Sequence, residues 1–243
     1  VLFRSRTEIT SFEDISRRQV VAANAKLYVQ RKEGFVGTDL KKAEFVRECS
    51  DIDDIIAFRK DGKFQISQID DKVYMGKDII HVDVWDRGDE RTTYNMLYVD
   101  GESGVTRAKR FHVSAATRDR VYDLTKGTEG SKVHYFSAQP NGEAELVNIK
   151  LSPNCRARKK ELEYDFADLD IKGRRAQGNI VTKYPVRRVN LEEVGKSTLG
   201  AQEIWMDEVS GRLNTEERGI YLGAFDTGDF IIALYEDGSY MMT

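Results

Sequence analysis

Asp54-Ile-Ile-Ala-Phe-Arg-Lys-Asp-Gly62-Lys-Phe-Gln-Ile66 decides the fold class. An apolar run meets Asp-Gly and leaves as an alternating run. Asp and Gly tolerate the positive φ that a tight, right-twisted hairpin turn demands, so the stretch reads as two antiparallel strands. Phe230-Ile-Ile-Ala-Leu-Tyr-Glu-Asp-Gly238-Ser-Tyr-Met241 repeats the phrase closely. Looser copies are Lys26-Leu-Tyr-Val-Gln-Arg-Lys-Glu-Gly34-Phe-Val-Gly37 and Asn95-Met-Leu-Tyr-Val-Asp-Gly101 running on through Val105-Thr-Arg-Ala-Lys-Arg110. Two more are Lys132-Val-His-Tyr-Phe136 running to Asn141-Gly142 and Glu145-Leu-Val147, and Asn179-Ile-Val-Thr-Lys-Tyr-Pro-Val-Arg-Arg188.

The six copies begin 28 to 51 residues apart, the spacing of architectures whose units bury their apolar faces only against neighbours. The expectation is an all-β, propeller-like disc of five or six blades. The markers of common propellers are missing: no Gly-His or Trp-Asp pair recurs, and the tryptophans are Trp85 and Trp205 alone. Ser11 to Ala25 reads as a short helix, with Ser11 as N-cap and Glu13 and Asp14 in the first turn. The domain division is therefore a lead-in over residues 1–25 and one repeat-built domain over 26–243.

Of the 243 residues, 40% are hydrophobic and 33% charged, enough apolar material for a core and too much for a disordered chain. No apolar run reaches the roughly 18–20 residues of a membrane span, and Val1-Leu2-Phe3-Arg4-Ser5 does not open a signal peptide. These features set the expectation of a cytoplasmic protein with no membrane partner. Cys49 and Cys155 lie far apart without Cys/His spacing, which argues for reduced thiols and against a metal site. His81, His112 and His134 occur singly and read as structural.

The net charge of −3 hides an asymmetry: from Val189 onward three bases face eleven acids, and the preceding 188 residues carry +5. Within Lys172 to Arg188 there are six bases and no acid. A solvated face ordinarily mixes its signs, so this run points to a polyanion. Gly195-Lys196-Ser197-Thr198 mimics the end of a phosphate loop, but Asn190 stands where a glycine is required and Glu192 and Glu193 would repel a nucleotide. Arg156 to Lys160 is flanked by Glu161, Glu163 and Asp165 and reads as a self-compensated loop. No nucleophile-elbow, paired-acid or metal phrase appears, so no catalytic residue is expected.

The hairpin phrase, with Arg59-Lys-Asp-Gly-Lys-Phe64 and Lys172-Gly-Arg-Arg-Ala-Gln-Gly178 running into the copy ending at Arg188, resembles the C-terminal domain of the A subunit of DNA gyrase and its topoisomerase IV paralogue. The wording is similar to A subunits of the Bacteroidetes kind. The resemblance implies a β-pinwheel, in which each blade exchanges a strand with its neighbour and DNA lies along a basic outer rim. It further implies a non-catalytic domain that binds and bends duplex DNA within an ATP-dependent type II topoisomerase, with no cofactor of its own. Its partners would be duplex DNA, the remaining A-subunit domains and the ATPase B subunit, on the bacterial nucleoid. The family's gyrase box, Gln-Arg-Arg-Gly-Gly-Lys-Gly after the first hairpin, is not matched: Gln30-Arg31-Lys32-Glu33-Gly34 is the hairpin itself. That departure favours topoisomerase IV-like bending over gyrase-like wrapping. A propeller-like scaffold for protein partners is the alternative reading.

With duplex DNA as partner, the expected phosphate contacts are Arg31, Lys32, Arg59, Lys60, Lys63, Arg107, Lys109, Lys172, Arg174, Arg175, Lys183, Arg187 and Arg188. Gly173 and Gly178 would let the loop backbone approach phosphate. Arg107 and Lys109 share a strand face, and Arg110 takes the other.

Overall fold

The computed structural model describes residues 24–207, 210–215, 217–226, 229–234 and 238–242. The expected helix at Ser11–Ala25 lies outside the described residues except for its last two, and Ala25 opens the first strand. Among the described residues no helix is long and apolar enough to cross a membrane.

Twenty-one strands form six small sheets among these residues. In the first sheet, β1 (Ala25–Gln30) and β2 (Phe35–Gly37) make a hairpin, β3 (Glu44–Cys49) pairs with β1, and β6 (Val73–Tyr74) returns from beyond the next hairpin to pair with β2. The second sheet repeats the plan: hairpin β4 (Asp54–Arg59) and β5 (Lys63–Gln68), β7 (Ile79–Trp85) beside β4, and β10 (Val121–Asp123) returning to β5. In the third, β8 (Thr93–Val99) and β9 (Thr106–His112) form the hairpin and β11 (Lys132–Gln139) flanks β8. Two strands, β14 (Ile171–Gly173) and β15 (Asn179–Thr182), return to β9. The fourth sheet sets β12 (Glu143–Leu151) between β13 (Glu161–Asp165) and β16 (Val186–Ser197). The fifth sets β17 (Gln202–Asp207) between β18 (Arg212–Asn214) and β19 (Ile220–Phe225), and the sixth pairs β20 (Ile232–Leu234) with β21 (Tyr240–Met242). The returning strand locks each of the first three sheets to its successor.

Stacking explains why Asp54 to Phe58 is buried at every position instead of at alternate ones. Ile55 and Ala57 pack toward the first sheet, with Leu27, Val29 and Val36, while Ile56 and Phe58 pack toward the third, with Tyr94, Met96 and Phe111. A strand sandwiched between two sheets has no wet face, so its sequence is continuously apolar. On β8, Tyr94, Met96 and Tyr98 face the second sheet, and Leu97 faces Val147 and Ile149 of the fourth.

Two of the six expected hairpins are corrected. β11 and β12 turn tightly at Gly142, yet β11 pairs with β8 and β12 with β13 and β16, so the turn joins two sheets. β15 and β16 likewise belong to the third and fourth sheets. Pro185, between them, lacks the N–H a ladder requires, so the chain crosses over there instead of folding back. The fifth sheet escaped the sequence reading, although Asp207 and Gly211 repeat the Asp-x-x-Ser-Gly turn of Asp100 to Gly104. In both, the Asp carbonyl accepts from the Gly amide at 2.8 Å and the Ser hydroxyl donates to the Asp carboxylate.

Candidate nucleic-acid interface

The links between sheets stitch the hairpin turns together at one end of the stack. The Met75 amide donates to the Gly34 carbonyl of the first turn, and the Lys60 amide of the second turn donates to the Asp78 carbonyl at the far end of the same link. The next link repeats this: Leu124 donates to the Gly62 carbonyl, and the Gly101 amide of the third turn donates to the Ser131 hydroxyl at 3.1 Å. Then the Ser152 amide, in the β12–β13 loop, donates to the Pro185 carbonyl at 2.8 Å. Turns and links thus make one continuous end surface. It carries exposed Lys32, Lys60, Lys77, Lys126 and Lys183.

At its fourth-sheet end this surface is most basic. Arg187 and Arg188 follow Lys183 and are exposed, and Arg188 lies opposite Lys150 in the ladder. The expected self-compensation of Arg156 to Lys160 does not form: Glu161 pairs instead with Lys150 at 3.1 Å. Arg156, Arg158 and Lys159 stand exposed with no carboxylate partner among the described residues, while the Lys160 ammonium is held by the Cys155 carbonyl.

The second basic feature is the loop between β14 and β15. β14 runs parallel to β9 against Arg110 to His112, and β15 runs antiparallel to it against Thr106 to Ala108, so residues 174–178 arch over the middle of β9. The loop's carbonyl oxygens are taken up from within the fold. The Lys109 ammonium donates to the Arg174 carbonyl at 2.7 Å, the Tyr98 hydroxyl to Gln177 at 2.6 Å, and Arg107 to Gly178 at 3.0 Å. Arg175 projects exposed from the outer side. From this loop to Lys183 the chain follows β9 through the four residues of β15, about 13 Å at strand rise. Along a duplex, with one charge per about 1.7 Å, that is room for several phosphates.

The expected contact residues divide by environment. Lys32, Lys60, Arg175, Lys183, Arg187 and Arg188 are exposed without an ion-pair partner among the described residues. Lys172 is exposed and 3.9 Å from Asp170, and Lys63 lies 3.6 Å from Asp61. Arg174 is half-buried, with its guanidinium 4.7 Å from the Tyr122 ring centre and a hydrogen bond to the Ala115 carbonyl. Arg120, overlooked in the sequence, lies 5.4 Å from the same ring.

Four of the expected residues are engaged within the fold. Lys109 is 3% exposed, so its ammonium cannot reach phosphate. Its face of β9 is the interior between the second and third sheets. Arg31 is held by both carboxylate oxygens of Glu44 at 2.7 Å, which raises its pKa and lowers that of Glu44. Arg59 is largely covered, packs over Gly76 and sits 3.3 Å from Asp61. Gly178 has a φ of +83°, and a methyl there would overlap the Ala108 carbonyl, so its glycine serves packing against β9.

A family model described as the Bacteroidota topoisomerase C-terminal domain matches residues 26–193. The A subunit of DNA topoisomerase 4 from Borreliella burgdorferi is 26% identical over 120 residues, which are 49% of this chain and 19% of that protein. The chain therefore corresponds to a minor part of that relative's length. A crystal structure of the C-terminal domain of DNA topoisomerase IV superposes with a TM-score of 0.50 at 12% identity, covering 92% of this chain and 84% of that one. At that identity the likeness speaks for the all-β pinwheel fold alone.

Proposed function

The chain belongs to the Bacteroidota family of topoisomerase C-terminal domains, and from that premise we propose that it grips the phosphate backbone of duplex DNA and bends it for strand passage. The parent would be an ATP-dependent type IIA enzyme, in which the partners are the other domains of the A subunit, plus an ATPase B subunit. The domain itself would supply no catalytic group and need no cofactor. One observation carries the reading: Arg175, Lys183, Arg187 and Arg188 are exposed cations without ion-pair partners among the described residues, along a single path over the third and fourth sheets. Such a row releases condensed counterions wherever it meets phosphate, without reading sequence. Bending a duplex by 40–90° costs on the order of 1–6 kcal/mol, which several such contacts offset.

Topoisomerase IV-like bending, rather than gyrase-like wrapping, is supported by the first turn. Residues 31–34 close a tight turn through the Gly34 amide and Gln30 carbonyl at 2.8 Å, and Glu33 interrupts the bases there. The test is retardation of unrelated duplexes at low salt by this chain and by a variant with Arg175, Lys183, Arg187 and Arg188 all changed to Glu. The variant should fail on every duplex; equal retardation would remove the assignment. Ring closure of short duplexes then separates bending from trapping of supercoils.

A protein-docking role has one observation in its favour, the exposed Phe230, Ile232, Leu234 and Tyr240 around the sixth sheet. It predicts a complex insensitive to salt and indifferent to the four reversals.

A further inference from the structure

Lys109 is a costly residue for the interior it occupies. Its side chain lies among Met96, Phe111 and Leu124, with the ammonium 4.8 Å from the Phe111 ring centre. It donates to two neutral oxygens, the Leu124 carbonyl at 2.8 Å and the Arg174 carbonyl at 2.7 Å, and no carboxylate of the described residues comes within ion-pair distance. Removing an ammonium from water carries a desolvation cost that two carbonyls do not fully return. Burial accordingly pushes its pKa down to about 8, with Asp123 opposing the shift. An apolar side chain of similar length would serve packing alone better. The two oxygens say what the charge does: Leu124 belongs to the returning link after β10, and Arg174 to the basic loop above β9. One ammonium clamps both.

We infer that Lys109 is a positioning residue for DNA: from beneath the β14–β15 loop it fixes the arch that presents Arg175 to phosphate, with Tyr98 and Arg107 as its two helpers. The inference rests on the DNA-binding reading above. All three donors end on loop carbonyls, at Arg174, Gln177 and Gly178. Taking up these oxygens keeps acceptors, which repel phosphate, off the outer surface of the arch. The positive charge of Lys109, uncancelled by a carboxylate, adds to the field there. Removing the clamp frees residues 174–178 without touching any exposed cation, so affinity falls although every phosphate-facing group is still present.

The test uses the whole 243-residue chain with Lys109→Met and Tyr98→Phe. Trypsin reports on the loop, because it cuts after Arg174 and Arg175 only when the arch opens. Fluorescence anisotropy with a short duplex, over a salt series, reports on DNA. Lys109→Met should be cut at the loop several-fold faster than wild type. It should also lose about one phosphate contact, which flattens the log K against log salt slope by about 0.9 and weakens binding about tenfold at 0.1 M salt. Tyr98→Phe, which keeps the ring and removes one hydroxyl, should move both readouts the same way by less, and it carries the test if Lys109→Met does not fold. A folded Lys109→Met with unchanged cleavage and unchanged slope overturns the inference. If wild type itself does not bind DNA, the DNA reading fails as well, and faster cleavage then marks the clamp as purely structural.

Discussion

Replacing Arg156, Arg158 and Lys159 together by Ala separates a true DNA path from a general charge effect. These three side chains are exposed, lack carboxylate partners among the described residues, and sit on the β12–β13 loop that the Ser152 to Pro185 hydrogen bond ties to the Lys183 link. If DNA runs from Arg175 over Lys183 and Arg188, its next phosphates fall on this loop. Each neutralised contact removes about 0.9 from the slope of log K against log salt, so three remove about 2.7, and at 0.1 M salt the affinity falls between two and three orders of magnitude. Arg87→Ala is the control. It is exposed just after β7, at the opposite end from the turns, because Trp85 pairs with Asp54 while Ile79 pairs with Arg59. Anisotropy titrations from about 50 to 300 mM salt, the range over which such contacts are lost, would measure all three proteins. An unchanged slope in the triple variant, beside a working quadruple reversal, would take the DNA off this loop. A control that loses as much per charge as the triple variant would refute the path altogether.

Three further outcomes follow from the packing. Phe58→Ala removes a ring that is 1% exposed and lies 4.6 Å from both Tyr94 and Phe136, so urea unfolding should show a loss of about 3–5 kcal/mol. Gly178→Ala must strain a φ of +83° and displace the Ala108 carbonyl, whereas Gly173 has open space around its missing Cβ; only the first should lower the melting temperature. Asp100 is buried and accepts from Ser103 and Thr128, which hold its pKa at about 2. Its folded value lies below its unfolded value of about 3.9, so its contribution to stability is present above about pH 4 and lost as pH falls toward 2. Urea midpoints over that range should flatten in Asp100→Asn.

What was legible in the sequence follows from what local chemistry dictates. Asp61-Gly62 sets its own turn, and the apolar runs on either side leave no doubt about strands, so β4 and β5 appear where the phrase places them. Pairing between distant segments has no such local mark. Gly142 and Pro185 both look like hairpin punctuation, and only the pairing of β11 with β8 and of β15 with β9 shows that the chain changes sheets at each. The site divides similarly. The run from Lys172 to Arg188 is visible as composition, but alternation along β9 says only that Arg107 and Lys109 share a face, not that this face lies against the second sheet. The neighbouring arginine makes the same point: Arg110, 1% exposed, donates to Asn95 and to the Gly142 carbonyl in the contact between the third and fourth sheets.

Basic residues in this chain therefore do two kinds of work, and net charge distinguishes neither. Arg110 and Lys109 are spent on carbonyl oxygens inside the stack, Arg31 and Arg59 on Glu44 and Asp61 at the turns. The cations left over collect where links cross turns. That location has a topological cause: each returning strand must reach the next sheet by passing over the end of its own hairpin, and an exposed link of this kind carries a lysine at Lys77, Lys126 and Lys183 alike. Lys126 is then drawn back by the buried carboxylate of Asp100, 3.5 Å away, and the third turn adds Glu102. The surface is consequently weak at the third turn and strongest at the fourth sheet. A duplex following the free cations would leave the turns there and climb β15 toward Arg175, which makes the arch held by Lys109 the second half of one path.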